Sequence, residues 1–357
     1  MQRCNLAGKA FEPKNMGETQ MSKLNFISSV AFAAALAAGA ASFTSTASAD
    51  DKISIIVGGY EKHIYLPAKL AEGLGYFKEQ GIDVELINEG AGVDAEGELL
   101  AGNVQGVVGF YDHAIDLQSK GKAVESVVQF SQAPGEVEMV SVKHPEIKSP
   151  ADFTGHDLGV TGLGSSTNFL TQYLAVKNGV ALGTFTSVAV GAGDTFIAAM
   201  EQDKIQAGMT TEPTITRLIK KGIAVPLVDM RTVEATRTAL GGTYPAASLY
   251  MQTDWVVAHK DQVQKLANAF VKTLHYIHDH SAEEIASKMP KDFMVSDPEG
   301  YVKALAAGKA MFTEDGVMPE DGPKTVLTVL GTFSKNVKGH DIDLSKTYTT
   351  EFVKAAK

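Results

Sequence analysis

From residue 52 onward the chain repeats one pattern: a short apolar run ending in glycine, a stretch with leucines at helical spacing, then another apolar run. Nothing else in the sequence restricts the fold as much. The first unit is the strand-like 53–57 running into Gly58-Gly59. Leu66, Leu70, Leu74 and Phe77 then share one helical face, with Pro67 in the first turn, where its missing N–H costs nothing. Gly81 closes that helix and 82–87 is the next strand. Helical 94–101 precedes strand 104–110, and helical 114–119 precedes strand 124–130. Later, strand 158–160 leads to a helix starting near Ser166, strand 186–190 to helix 195–202, and strand 205–209 to helix 214–221 and strand 223–228. Alternation of this kind predicts an α/β fold of parallel sheets covered by helices.

Two turn-rich stretches interrupt the alternation, one near 133–150 and one near 241–246, and both suit chain crossovers between two lobes. The last hundred residues are helical in pattern, most clearly where Val263, Leu266, Ala267, Phe270, Val271, Leu274 and Ile277 form one apolar face.

The first fifty residues differ from the rest. From Met21 a short basic segment precedes an apolar run over 27–41 and a small-residue site, Ala47-Ser48-Ala49. That is the layout of a cleavable secretory signal, and the run is shorter than the ~20 apolar residues a bilayer span requires. Residues 21–49 are therefore expected to be a signal peptide and 1–20 a misannotated leader. The single cysteine, Cys4, lies in that leader, so the mature chain is expected to hold no disulfide, thiol nucleophile or Cys-containing metal site. The net charge of −10 argues against a nucleic-acid or anionic-membrane partner. No G-x-S-x-G, H-E-x-x-H or EF-hand pattern is present, and the pairs Glu136/Glu138 and Glu283/Glu284 read as solvated charges.

The segment Thr161-Gly-Leu-Gly-Ser-Ser-Thr-Asn168 follows a strand and opens a helix. Its glycines allow a tight turn, and the amides of Ser166, Thr167 and Asn168 would point out of the helix N-terminus, a site for an oxyanion with no cationic side chain. The alternative is an ordinary Ser/Thr cap.

Four blocks together resemble the exported substrate-binding proteins of ABC importers of the nitrate/sulfonate/taurine type, related to the NMT1/THI5 group. They are residues 64–86; 92–110 with Leu99-Leu-Ala-Gly-Asn103; 151–167, containing Ala-Asp-Phe-Thr-Gly155 and Gly-Ser-Ser-Thr167; and 200–213, ending in Thr211-Glu212-Pro213. The resemblance runs on through Tyr244-Pro245 and the helix at 261–279. It implies a type II periplasmic-binding fold with two α/β lobes, residues 52–135 plus 245–357 and residues 136–244, joined by two hinge crossovers around a ligand cleft.

Strand ends nominate the site, because open α/β sheets bind ligands beyond their carboxyl edges. The exits are 59–65, 89–92, 111–113 and 131–132, with 165–167, 193–194, 210–212 and Tyr244 on the other side. From these, Tyr60, His63, Tyr65, Gly92, Tyr111, His113, Ser165, Ser166, Thr167, Glu212 and Tyr244 are the candidate ligand contacts. Each has a plainer alternative: His63 and His113 as exposed loop histidines, Tyr65 as core, Glu212 as a cap for the helix behind Pro213. Phe110, Met200 and Met251 read as core, Asp194 as an N-cap, and Arg231 and Arg237 as surface residues.

So many aromatic and imidazole groups suit a small organic anion, an aromatic carboxylate or sulfonate ahead of nitrate, taurine or an alkanesulfonate. A thiamine-pyrimidine precursor and a sensory ectodomain are the rivals, and a pyrimidine-synthase-like enzyme is disfavoured by the missing cysteines. The resemblance implies a monomer with an inner-membrane permease and ATPase as partners and no cofactor.

Overall fold

The computed structural model describes residues 52–295 and 297–357; the expected leader and signal segments lie outside the described residues. Among the described residues no helix is long and apolar enough to cross a membrane.

The first sheet is assembled from β1 (Ile53–Val57), β2 (Val84–Asn88), β3 (Gly106–Phe110) and β4 (Val124–Gln129). The chain then builds a second sheet from β5 (Glu136–Ser141), β6 (Asp157–Val160), β7 (Thr186–Ala189), β8 (Ala207–Thr211) and β9 (Ala224–Asp229), and returns to the first with β10 (Ala247–Gln252). Strand order is β2-β1-β3-β10-β4 in one sheet and β7-β6-β8-β5-β9 in the other, the same permutation twice. In each sheet three strands on one side pair in parallel, β2-β1-β3 and β7-β6-β8, and one strand is antiparallel to both neighbours: β10 between β3 and β4, and β5 between β8 and β9.

Those two strands are the ones entered by crossover. The chain leaves β4 at its carboxyl edge and enters the next sheet at the facing edge, so β5 must run away from the gap while β6 and β8 run toward it. The sheets are therefore mixed rather than wholly parallel. The stretch read as a turn-rich break contains β5, whose six residues are all buried. Glu136 and Glu138 are accordingly not solvated: they are 2% and 0% exposed.

Helices α1 (Leu66–Leu74) and α2 (Tyr76–Glu79) replace the single helix expected from the leucine spacing. Gly75, at φ 75°, takes the left-handed conformation that ends α1, and Phe77 still reaches the core because α2 restarts at once. Helix α3 (Gly92–Leu100) follows β2, and α4 (Asp112–Ser119) follows β3. Around the second sheet lie α5 (Ser166–Lys177), α6 (Asp194–Glu201), α7 (Thr214–Lys220) and α8 (Val233–Leu240). The C-terminal region contributes α9 (Thr253–Ala258), α10 (Lys260–Asp279), α11 (Ala282–Ala286), α12 (Pro298–Gly308) and α13 (Gly322–Phe333).

The apolar face of α10 is buried as its spacing predicts, with Phe270 edge-on to Phe77 at 5.3 Å between ring centroids. Phe110, Met200 and Met251 are core residues. Although α5 follows β6, its Phe169 packs against Phe333 of α13 at 5.8 Å and against the His113 ring of α4 at 5.9 Å. The helix that opens with the Gly-Ser-Ser-Thr turn is thus wedged between both halves of the molecule.

Candidate functional site

The turn before α5 does not form a simple side-chain cap: Ser165 is the N-cap residue, but its hydroxyl makes no capping bond. It accepts instead from the Val93 amide of α3 at 3.3 Å. Ser166 Oγ donates to Asp112 Oδ1 at 2.8 Å, at the start of α4. Thr167 Oγ1 accepts from the Thr161 amide at 3.0 Å, and the Asn168 side-chain Oδ1 accepts from the Gly164 amide at 3.1 Å. With the hydroxyls engaged sideways, the amides of Ser166 and Thr167 stay at the positive dipole end that every helix start carries, whereas the Asn168 amide, expected to join them, donates to the Ser165 carbonyl at 2.8 Å.

Asp112 is a knot between the two sides of the molecule. Its second oxygen, Oδ2, accepts from Tyr244 Oη at 2.9 Å in the return crossover. Burial raises the Asp112 pKa, against the opposing pull of His113, Ser166 and Tyr244. The two sides also meet where the His63 amide donates to the Glu212 carbonyl at 3.1 Å.

Lys62, on the loop leaving β1, is buried and donates from Nζ to the carbonyls of Gly58 and, at 2.9 Å, Gly90. Burial lowers its pKa, while Glu61, Glu136 and Asp94 act the other way. Facing it, Glu136 opens β5 and pairs in register with Thr211 at the end of β8. Glu136 Oε2 and Thr211 Oγ1 are both buried without a hydrogen-bond partner. Burial, reinforced by the charge of Asp112, holds the Glu136 carboxyl well above the usual range despite Lys62. Lys62, Glu136, Thr211, Ser166, Tyr65 and Phe110 enclose a space of about 10 Å³, room for a single water-sized body. The gap is therefore shut, with its polar groups converging on one point.

Of the expected contacts, Tyr65, Gly92, Ser165, Ser166 and Thr167 line this space. His63 and Glu212 line a neighbouring void beside Arg231. His63 is not an exposed loop histidine: its ring lies edge-on to Tyr301 at 4.3 Å, neither nitrogen has a partner, and burial pushes its pKa down to about 3. Glu212 is the helix cap of its plainer reading, accepting from the Thr216 amide and hydroxyl at 3.0 Å each, and it also accepts from Arg231 Nη1 at 2.8 Å. Arg231 is half-buried rather than a free surface residue. Arg237 pairs with Asp321 at 2.9 Å. Asp194 is not a cap; Gly193 holds that position and Asp194 pairs with Arg217.

Four expected contacts line neither space, and one of them, Tyr244, is the residue bonded to Asp112. Tyr60 lies under the Lys69 ammonium at 4.9 Å. Tyr111 is buried with its hydroxyl on Thr347. His113 is buried, not a loop residue, and pairs with Glu96 at 2.7 Å. Burial lowers its pKa, but the bond to and charge of Glu96, with Asp112 and Asp116, outweigh that and lift it to about 8. Lys62 and Asp112 lie inside the nominated exit loops with nothing in the pattern to single them out. Glu136 was hidden by the misread of β5.

Two matched α/β sheets, each with one antiparallel strand after a crossover, and a polar enclosure at their facing edges define a periplasmic-binding-protein fold. The chain belongs to the NMT1/THI5-like family, whose model matches residues 64–284. A protein of known structure from Bordetella bronchiseptica RB50 is 33% identical, with 85% of this chain and 96% of that chain covered at a TM-score of 0.82. The alkanesulfonate-binding protein SsuA from Xanthomonas axonopodis pv. citri, bound to MOPS, is 13% identical, with 84% and 98% covered and a TM-score of 0.67. The periplasmic nitrate-binding protein NrtA from Synechocystis PCC 6803 is 13% identical, with 85% and 87% covered and a TM-score of 0.63. A comparison with curated proteins found no match.

Proposed function

We propose that this chain is the exported solute-binding component of an ABC importer and holds a small organic anion, an aromatic carboxylate or sulfonate, between two lobes. The lobes are residues 52–135 plus 245–357 and residues 136–244, and the hinges are the two crossovers. In this reading residues 21–49 direct export and are removed, a permease and an ATPase are the partners, and no chemistry is performed on the ligand. The names of the alkanesulfonate- and nitrate-binding neighbours support an acid as cargo.

The observation that carries the reading is the N-terminus of α5 opening beside buried Lys62 into a space walled by Tyr65 and Phe110. An acid headgroup takes the amides at Ser166 and Thr167 and the Lys62 ammonium, and its ring or chain lies on the two aromatics. Glu136, kept protonated by burial, offers a hydrogen-bond donor to the headgroup where an ionised carboxylate would repel it. Because the enclosed space is so small, the cargo enters with the lobes parted. Closure is then favoured by contacts made from both sides at once, including Ser166 to Asp112.

Isothermal titration of the mature protein with benzoate, benzenesulfonate, taurine and nitrate tests this. One or more organic acids binding at micromolar concentration, weakened at least about tenfold by Lys62→Met, is the expected result. Tight nitrate binding with no organic acid bound would overturn the ligand class.

A further inference from the structure

The edge of the second sheet opposite the enclosed site gathers two histidines and two carboxylates that the solute-binding reading does not use. Strand β5 runs away from the enclosure and ends at Ser141, whereas β6 and β8 begin at that edge, so the segments around 144, 156 and 203 meet there. Donor atoms of His144, Glu146 and His156 all lie within 4.8 Å of one another. The loops carrying them are tied down: the His144 amide donates to the Ser141 carbonyl at 3.0 Å and the His156 amide to the Phe153 carbonyl at 3.1 Å. Lys143 Nζ reaches across to the Glu201 carbonyl at 2.6 Å, fixing the loop after β5 to the end of α6.

The two nitrogens of His144 have different neighbours. Nδ1 is 2.7 Å from Glu146 Oε1, on the side of the donor cluster, and Nε2 is 2.6 Å from Asp203 Oδ1. Without a metal both nitrogens face carboxylates, the pattern of an imidazolium; loss of the Nδ1 proton to an entering cation leaves Nε2–H donated to Asp203, and the carboxylate behind the ring then fixes the tautomer and raises ligand basicity, the arrangement common to metal-bound histidines. Two imidazoles and one carboxylate are the donor set that suits zinc and its neighbours rather than magnesium or calcium. Side-chain exposures of 20% for His144 and 56% for Glu146 leave an entry path from solvent.

We propose that His144 Nδ1, His156 and Glu146 form a binding site for one divalent transition-metal ion of the zinc type, with Asp203 as the positioning residue behind His144. Ligand atoms around tetrahedral zinc sit roughly 3.3 Å apart, so the His144–Glu146 pair at 2.7 Å must open slightly and wider pairs, up to 4.8 Å, must close, adjustments within reach of partly exposed side chains. The site is independent of the enclosed cavity between the sheets.

The test uses the untagged mature protein, stripped with EDTA and titrated with zinc chloride by calorimetry, with cobalt chloride absorption reporting nitrogen ligation. One ion per chain is expected, with affinity reduced at least about thirtyfold by His144→Ala or His156→Ala. Asp203→Asn weakens binding about 10- to 100-fold and Asp203→Glu restores it, a pattern that loss of loop structure alone would not give. His156→Gln keeps a polar side chain in place and serves should the alanine variant fold poorly by circular dichroism. Absence of zinc binding at millimolar concentration would overturn the proposal. So would unchanged binding in a His144→Ala/His156→Ala double variant.

Discussion

Glu138 provides a sharp test of how the core around α5 is held. It sits mid-way along β5, wholly buried, with Oε2 accepting from Thr171 Oγ1 of α5 at 2.8 Å and Oε1 without a partner. Burial lifts its pKa from 4.5 to about 8, with the Thr171 bond pulling the other way. A carboxyl whose folded pKa lies above its unfolded one contributes its full stability below the unfolded value and loses it as pH climbs toward the folded value. The window is thus from 4.5 to about 8. Each unit well inside it costs about 1.4 kcal/mol, so moving from about pH 5 to about pH 7, with the lower end still partly protonated when unfolded, removes about 2.5 kcal/mol. Glu138→Gln keeps the shape and the acceptor for Thr171 and cannot ionise. Urea unfolding at several pH values, followed by fluorescence of the single tryptophan, Trp255, compares the two proteins. Every other titrating group is common to both and drops out of the difference. The glutamine variant gains on the parent by about 2.5 kcal/mol across that range. Parallel pH profiles would refute the reasoning, since they would mean that Glu138 is already solvated or that its charge is compensated.

Glu136→Gln flattens the pH dependence of anion affinity: in the parent, affinity falls as pH rises and the raised Glu136 carboxyl ionises beside the bound acid, which calorimetry at a series of pH values would show. Tyr244→Phe strips one of the two bonds to buried Asp112 and lowers stability by about 1–3 kcal/mol, read as a fall in the urea midpoint with little change in slope. Gly208→Ala places a Cβ 2.5 Å from the Gly159 carbonyl oxygen, so β6 and β8 must separate; a loss of about 3 kcal/mol or poor soluble yield is expected.

Most of the fold was legible because its strands are short apolar runs punctuated by glycine, and a buried parallel strand needs nothing else to declare itself. The spacing located β1 to its residues and placed α5 at Ser166. It failed at β5, where Glu136 and Glu138 break the apolar run within a strand buried at all six positions. Charge in a sequence reads as solvent exposure, and only tertiary structure reveals that both carboxyls face a buried space or a threonine on α5. The same limit explains the site. Ser165, Ser166 and Thr167 announce themselves as a helix start after a glycine turn, whereas Lys62 is one lysine in a polar loop until burial and the carbonyls of Gly58 and Gly90 give it a place. His63 and His113 look alike in the sequence and differ in kind: one is stripped of partners, the other paired with Glu96.

The charge balance of the enclosed space bears directly on what can occupy it. Among the described residues Lys62 is the one cationic side chain lining the space, with Glu136 lining it too and Asp112 bonded to Ser166 at its wall. With all three ionised, the surroundings would be net negative and would repel an acid, whatever the dipole of α5 contributes. Burial raises both carboxyls, however, and Lys62 keeps two carbonyl acceptors that favour its ammonium form. Asp112 still accepts at both oxygens, but a Glu136 carboxyl that retains its proton turns from a repelling group into a donor, and the balance swings from net negative to neutral, which leaves the dipole of α5 to favour an acid. Because desolvation is what raises that carboxyl, the swing belongs to the shut state. Closing over an acid and holding the Glu136 proton are then one event, so uptake of an anion should be accompanied by uptake of a proton from the buffer, a quantity that titration in buffers of different ionisation enthalpy measures directly. Binding that exchanges no proton would mean that Glu136 stays ionised and that the cargo carries a cationic group of its own.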